Sequence, residues 1–132
     1  MKGVPKIGTS HEIRFAVETK HVVEFAGDGG MPAVLSTPNL IGVLERTARF
    51  ALLPFQEENE RSVGIEIELR HLAPTPLGKT VTCIARVVST EGREVFFQLE
   101  ARDEQEVIAR GLHKRHIIRV DRFAKRVSQK NS

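Results

Sequence analysis

The sequence predicts a single α+β domain, in which one long helix lies against about five antiparallel strands. Three observations lead to this fold class. One segment has the apolar spacing of a helix, one strand-like alternation precedes it, and four strand-like segments separated by tight turns follow it. A chain of 132 residues can bury an ordinary core without metal or disulfide crosslinks. We predict this domain over residues 1–120 and a basic tail over residues 121–132.

The first predicted strand precedes a loop that is rich in glycine and proline. Ile13, Phe15 and Val17 alternate with charged residues, which is the period of a half-buried strand. Residues 27–38 are too short for a domain linker, and we interpret them as a shaped loop.

The predicted helix begins after this loop and ends before Pro54. Ser36 or Thr37 can cap its free backbone amides, and Pro38 suits the first helical position. Its apolar residues cover an arc of roughly 200°, so we expect other elements to enclose most of the helix. Glu45 lies at the boundary of that buried arc.

The remaining strands follow a connection over residues 56–61, which is charged and predicted to be solvated. In the first of them, apolar and charged residues alternate, and His71 falls on the inward parity. A turn over residues 73–78 separates it from the next strand, and tight hairpins join the later ones. The last strand is predicted over residues 107–120. The inward residues of the first two are Val63, Ile65, Ile67 and Leu69, then Val81, Cys83, Ala85 and Val87.

Composition excludes several classes of function. The sequence has no Trp or Tyr, and its charge of +3 divides into +4 from Arg119 onward and −1 before it, so we expect no nucleic-acid partner. No apolar run suits a signal peptide or a membrane span, so we expect no membrane partner. The lone Cys83 indicates a reducing cytoplasm. His113 and His116 point to opposite faces of their strand, so we predict no metal site.

Three polar residues occupy positions where polarity needs a reason: Thr37, Glu45 and His71. Together they supply a hydroxyl, a carboxylate and an imidazole, which suit nucleophilic and acid-base chemistry. Each also has a structural alternative. Thr37 can be a helix cap, Glu45 can pair with Arg49 one turn later, and His71 can be a hydrogen-bonded core histidine.

Three stretches of the sequence carry a resemblance to a known family. They read STPNLIGVLERTA from residue 36, VGIEIELRHLAPTPLGKTVTCIARVVSTEGREVFFQLEARD from residue 63, and GLHKRHII from residue 111. In this order they resemble the hot-dog thioesterases of the fluoroacetyl-CoA thioesterase-like family. The resemblance extends over about residues 11–120, and the threonine-proline pair, the later glutamate and the histidine are its most specific features.

The resemblance implies a hot-dog fold, in which an antiparallel sheet wraps a long central helix. It further implies a homodimer or dimer of dimers that hydrolyses an acyl-CoA thioester in a cleft between subunits. Thr37, Glu45 and His71 would be catalytic, and Gly64 and Arg115 would line the substrate site. Coenzyme A would enter as part of the substrate, and no separate cofactor is expected. The alternative is an acyl-CoA binding module that senses its ligand without catalysis.

Two features bear on how such a site would be assembled. Thr37 and Glu45 lie eight positions apart, roughly 12 Å along a helix, so we do not expect them to touch within one chain. A two-fold dimer would bring them to a common cleft. We also expect the helix amides that follow Thr37 to hold the substrate carbonyl oxygen.

The basic tail has two interpretations. Arg115 and the tail can meet the phosphates of coenzyme A. Alternatively, Val120, Phe123 and Val127 have helical spacing, so the tail can be an amphipathic helix docked on the domain.

Overall fold

One five-stranded antiparallel sheet packs against a long helix in the computed structural model, which describes residues 1–131. The strands lie in the order β1-β3-β4-β5-β2, so β1 and β2 form the two edges. This arrangement confirms the predicted α+β class. The elements are β1 (Ser10–Ala16), α1 (Thr37–Leu52), β2 (Glu60–His71), β3 (Thr80–Glu91), β4 (Glu94–Arg102), β5 (Val107–Arg119) and α2 (Val120–Gln129).

Helix α1 supplies one half of the hydrophobic core. Its buried residues follow the predicted apolar arc and pack against the inner face of the sheet, where Phe97 of β4 is the largest buried side chain. Cys83 of β3 is also fully buried, and this burial raises the pKa of its thiol to about 12. A thiol with this pKa is protonated at neutral pH, so Cys83 serves the core as a small apolar residue.

The structure at the start of α1 distinguishes between the two predicted caps, Ser36 and Thr37. Ser36 is the N-cap, because its hydroxyl accepts the Asn39 amide at 3.3 Å. Thr37 is the first helical residue, and Pro38 follows it in the first turn. The helix ends at Leu52 as predicted, before a short 3₁₀ turn over Leu53–Phe55. The Thr37 hydroxyl is therefore free for a different partner.

Strand β2 contains a bulge that the sequence pattern did not indicate. Gly64 pairs with Arg115 and Glu66 pairs with Lys114, so Ile65 is an extra residue between two consecutive pairs on β5. Because of this extra residue, the positions that face α1 change from even-numbered ones before the bulge to odd-numbered ones after it. Ser62 is buried before the bulge and His71 is partly buried after it. The predicted alternation is therefore wrong at Ile65, which is 49% exposed.

The connection before β2 is less solvated than predicted. Glu60 is 3% exposed, and its carboxylate accepts the Glu57 amide at 2.9 Å and forms ion pairs with Arg93 and the Met1 ammonium. These contacts, led by the Glu57 amide, lower the pKa of Glu60 to about 2 against the opposing effect of burial. The prediction of a solvated connection over residues 56–61 is wrong at Glu60, which anchors β2 to the β3–β4 hairpin.

The basic tail forms the predicted helix, but this helix is not docked by its apolar side. Val120, Phe123 and Val127 of α2 are 41%, 42% and 45% exposed, and α2 has no buried residue. The expectation of a docked helix is therefore wrong. In the described chain, no helix is both long enough and apolar enough to cross a membrane.

Candidate active site

Thr37 and His71 form the first polar pair of the site. Thr37 begins α1 and His71 ends β2, and the Thr37 Oγ1 atom lies 2.8 Å from Nδ1 of His71. Because Ser36 caps the helix, the cap alternative for Thr37 is wrong. The pair lies at an open cleft of about 300 Å³, whose lining includes Val23 and Val34.

The second ring nitrogen of His71 has no partner. Its Nε2 atom is buried and lacks a hydrogen bond to any described residue. Burial lowers the pKa of His71 below its ordinary value of 6.5, so the ring is neutral at pH 7. A fully hydrogen-bonded core histidine would not leave Nε2 unpaired. The unpaired nitrogen of a neutral imidazole can instead exchange a proton with a substrate or a water molecule.

The helix amides that follow Thr37 do not suit their predicted role. Pro38 has no amide hydrogen, Asn39 donates to the Ser36 hydroxyl, and Leu40 donates to the Ser36 carbonyl. The expectation that these amides hold a carbonyl oxygen is therefore not supported. The Thr37 hydroxyl is the available hydrogen-bonding group at this end of the helix.

Glu45 belongs to a second cluster, further along α1. Its Oε2 atom lies 3.7 Å from Nη1 of Arg115, whose side chain is only 5% exposed. Glu45 forms no ion pair with Arg49 in the described part of the chain, so the helix-pair alternative is not supported. The Glu45 side chain is 43% exposed, so its carboxylate has a buried cation on one side and an open side as well.

Arg115 is held in place from β2. Its Nε donates to the Ser62 hydroxyl at 2.9 Å, and its Nη2 donates to the Ser62 carbonyl at 2.8 Å. Burial lowers the pKa of the guanidinium below its ordinary value, and the charge of Glu45 opposes this change. An arginine remains charged in proteins, so Arg115 places a fixed positive charge beside the Glu45 carboxylate.

Gly64 lets the side chains of this ion pair pack closely against the backbone of β2. A Cβ atom at Gly64 would lie 2.5 Å from Glu45 Oε2, 3.1 Å from His113 Cε1 and 3.3 Å from Arg115 Nη1. The bulge at Ile65 turns this position toward α1. The structure therefore brings together Glu45, Gly64 and Arg115, three of the five predicted site residues.

Ser62 and His113 belong to this cluster but were not predicted as site residues. His113 is 3% exposed, and its Nε2 atom lies 3.2 Å from Arg115 Nη1. The inward parity that His113 shares with Arg115 and Ile117 is the signal in the sequence that could have identified it as a site residue. Ser62 was hidden by the bulge. Within residues 1–131, no three His, Cys, Asp or Glu side chains form a metal cluster.

The two clusters are separate within one chain. Gly64 and His71 are seven residues apart on β2, which corresponds to roughly 20 Å at 3.3 Å per residue. No hydrogen bond or ion pair among the described residues joins the Thr37–His71 pair to Glu45. This separation confirms the expectation that Thr37 and Glu45 do not touch within one chain.

Comparison with known proteins identifies the family. The family model described as fluoroacetyl-CoA-specific thioesterase matches residues 17–121. The fluoroacetyl-CoA thioesterase of Streptantibioticus cattleyicolor is 36% identical over 99 residues, which are 75% of this chain and 71% of that protein. The chain belongs to the fluoroacetyl-CoA thioesterase family.

Solved structures agree with membership of the fluoroacetyl-CoA thioesterase family. A phenylalanine-to-alanine mutant of the fluoroacetyl-CoA-specific thioesterase, in complex with fluoroacetate and CoA, has a TM-score of 0.82 at 31% identity, over 90% of this chain and 99% of that chain. A hot-dog-like protein from Thermanaerovibrio acidaminovorans has a TM-score of 0.88 at 27% identity, over 96% and 93% of the two chains. The predicted hot-dog fold and enzyme class, an acyl-CoA thioester hydrolase, are confirmed.

The close approach at Gly64 gives a prediction about activity without unfolding. In Gly64→Ala the new methyl group displaces the Glu45 carboxylate, which is the flexible end of a side chain, so the fold is kept. We expect acyl-CoA hydrolysis to fall at least about tenfold, because Glu45 loses its position beside Arg115. The thermal midpoint and the hydrolysis rate should be measured together. The control is Gly42→Ala in α1, where a Cβ meets nothing within 4 Å; an equal loss of activity in both variants would contradict the prediction.

The neighbouring residues Ser36 and Thr37 allow a matched test. Ser36→Ala removes the helix cap and should lower the free energy of unfolding by about 1 kcal/mol, with little change in turnover. Thr37→Ala removes the partner of His71 and should lower turnover about tenfold or more, with little change in stability. Chemical denaturation and steady-state hydrolysis distinguish the two effects. The assignment of Thr37 would be wrong if its variant lost stability but kept its turnover.

Proposed function

We propose that the protein hydrolyses a small or medium acyl-CoA thioester to the free acid and CoA, with Thr37, Glu45 and His71 as catalytic residues. Gly64 and Arg115 line the acyl site. The observation that carries this proposal is the Glu45 carboxylate, held 3.7 Å from a buried arginine and facing a position without a side chain. Coenzyme A takes part only as the leaving group of the substrate, and no other cofactor is required.

Glu45 supplies the carboxylate for cleavage of the thioester. It can attack the carbonyl carbon directly, in which case the C–S bond breaks and a mixed anhydride is left for water to hydrolyse. It can instead take the proton of a water molecule that attacks the same carbon. In both routes CoA leaves as a thiolate, and the acyl group is released as the free acid. Arg115 stabilises the negative charge of the carboxylate in either case.

His71 serves as the proton acceptor on the other side of the substrate. Its ring is neutral at pH 7 because burial lowers its pKa, and its unpaired Nε2 can take a proton from water. Thr37 fixes the ring through Nδ1, so that Nε2 keeps one direction. The relative from Streptantibioticus cattleyicolor acts on fluoroacetyl-CoA, as its name states, which supports a thioester of a short acid as the substrate.

We also propose that the active site is shared between the subunits of a homodimer, alone or paired as a dimer of dimers. Two observations support this arrangement. The Thr37–His71 pair and the Glu45 cluster lie too far apart to meet within one chain. In addition, β2 has 12 residues and pairs only with β5 among the described strands, so its outer edge is open to a second copy. A cytoplasmic location is proposed with it, supported by the single free thiol, Cys83.

The hydrolase assignment predicts release of CoA from acyl-CoA esters. A panel from acetyl to decanoyl, with halogenated and aryl acids, should show a clear preference when CoA is followed with a thiol-reactive dye. Glu45→Gln should lower kcat about 100-fold or more, because it removes the reacting carboxylate. Glu12→Gln on the exposed side of β1 is the matched control, and Cys83→Ser corrects for the dye background.

The same panel tests the sensor alternative. Tight binding of an ester by calorimetry, without CoA release from any ester, would reject hydrolysis and favour an acyl-CoA binding module. Full activity in Glu45→Gln would reject the catalytic assignment while leaving the enzyme class in place.

The shared site predicts complementation between inactive variants. Glu45→Gln and His71→Ala homodimers should each be inactive. A mixed dimer would contain one site with both defects and one intact site, so random mixing by co-expression should restore about a quarter of wild-type activity. Activity should follow the amount of mixed dimer, measured with a different affinity tag on each variant. Purified mixed dimer without activity would show that each site lies within one chain.

A further inference from the structure

We propose that His113 is a positioning residue of the hydrolase, which holds the Arg115 guanidinium against the Glu45 carboxylate. This inference rests on the proposed function, because it assigns a role to a residue that acts through Glu45. His113 lies on β5 and is 3% exposed, two residues before Arg115. The ring contacts the arginine and packs beside the backbone of Gly64, and it has no other assigned role.

The hydrogen bonds of His113 define which nitrogen carries the proton. Its Nδ1 atom lies 2.8 Å from the carbonyl oxygen of Glu66. A carbonyl can only accept, so Nδ1 carries the hydrogen, and Nε2 of the neutral ring presents a lone pair. That lone pair lies 3.2 Å from Nη1 of Arg115, which can only donate. The residue that sets this tautomer, Glu66, directly follows the bulge at Ile65.

Arg115 depends on His113 for one of its nitrogens. Ser62 accepts from Nε and Nη2, which fixes the side of the guanidinium that faces β2. Nη1 is the nitrogen nearest Glu45, and its contacts are the carboxylate at 3.7 Å and the His113 ring at 3.2 Å. Without an acceptor at His113, the buried Nη1 loses its shortest contact. The guanidinium can then rotate away from the Glu45 carboxylate, which lies opposite Gly64.

Charge also restricts the state of His113. A protonated ring would place an N–H group and a positive charge 3.2 Å from the Arg115 guanidinium, in a buried region. Burial is the largest effect and lowers the pKa of His113; the hydrogen bond to the Glu66 carbonyl opposes it, the charge of Arg115 adds to it, and the charge of Glu45 opposes it least. The ring is therefore neutral at pH 7 and serves as an acceptor.

Two substitutions separate the two hydrogen bonds of the ring. An asparagine places its amide near Nδ1, so His113→Asn keeps the donor to the Glu66 carbonyl but lacks an acceptor for Arg115. A glutamine places its carbonyl near Nε2, so His113→Gln keeps the acceptor for Arg115. We expect His113→Asn to lower kcat about tenfold with a smaller change in KM, and His113→Gln to return kcat to within about threefold of wild type. Equal kcat in His113→Asn and wild type would overturn the proposal.

A double-mutant cycle tests whether His113 acts through Arg115. In an Arg115→Met background, which removes the guanidinium, His113→Asn should cause less than about a twofold further loss of kcat. A structural role in packing would cause the same loss in both backgrounds, and that result would overturn the proposal. Thermal midpoints of all variants report whether the fold is kept.

A measurement on the wild-type protein remains decisive if His113→Asn fails to fold. NMR spectra that correlate the ring protons with nitrogen-15 over two bonds should show a neutral His113 ring with the hydrogen on Nδ1 at pH 7. The His113 signals are assigned as those that are absent from the spectrum of His113→Gln. A ring protonated on Nε2 would overturn the proposal. Glu45→Gln, assayed beside these variants, distinguishes the two failures. Loss of activity in Glu45→Gln with full activity in His113→Asn rejects this inference alone, and full activity in both rejects the catalytic assignment as well.

Discussion

The bulge at Ile65 is the constraint on which the site depends. An antiparallel strand presents alternate residues to each face, so without an extra residue Ser62 and Gly64 would face away from the helix if His71 faced toward it. Because of the bulge, Ser62 and Gly64 before it and His71 after it can all face α1. It therefore gives Arg115 its anchor at Ser62, and it allows the same strand to present His71 to Thr37. The local irregularity is thus what makes a single strand serve two polar clusters.

Buried charge sets the next requirement. A guanidinium removed from water is strongly destabilising unless it is paired and hydrogen-bonded, and the cost of leaving one unpaired is several kcal/mol. Arg115 meets this requirement with contacts to Ser62, His113 and Glu45. Glu45 is the one contact with an open side, so it remains available to a substrate while the arginine stays fixed. The rigid part of the cluster lies in the sheet, and the proposed reacting group, Glu45, lies on the helix.

The sequence predicted the elements better than it predicted their details. The long apolar arc of α1 and the alternation of the later strands identify a helix on a sheet, because burial of one face imposes these periods. The choice between Ser36 and Thr37 as the cap could not be made, since both residue types are strongly preferred at the N-cap. The bulge was hidden because the apolar residues around it alternate without interruption. Gly64 and Arg115 were therefore predicted from the resemblance alone, and His113 was not assigned a role.

The separation of the two clusters links chemistry to assembly. In an isolated chain, the Glu45 carboxylate lies beside a fixed cation, and the unpaired imidazole nitrogen of His71 lies near Thr37, which is roughly 12 Å from Glu45 along the axis of α1. On the proposed shared site, each cluster completes the other only when two copies associate. Strand β2, which carries both Gly64 and His71, is also an open edge of the sheet. The same strand then provides the residues of the site and the surface for pairing, so association and formation of the site would occur in one step.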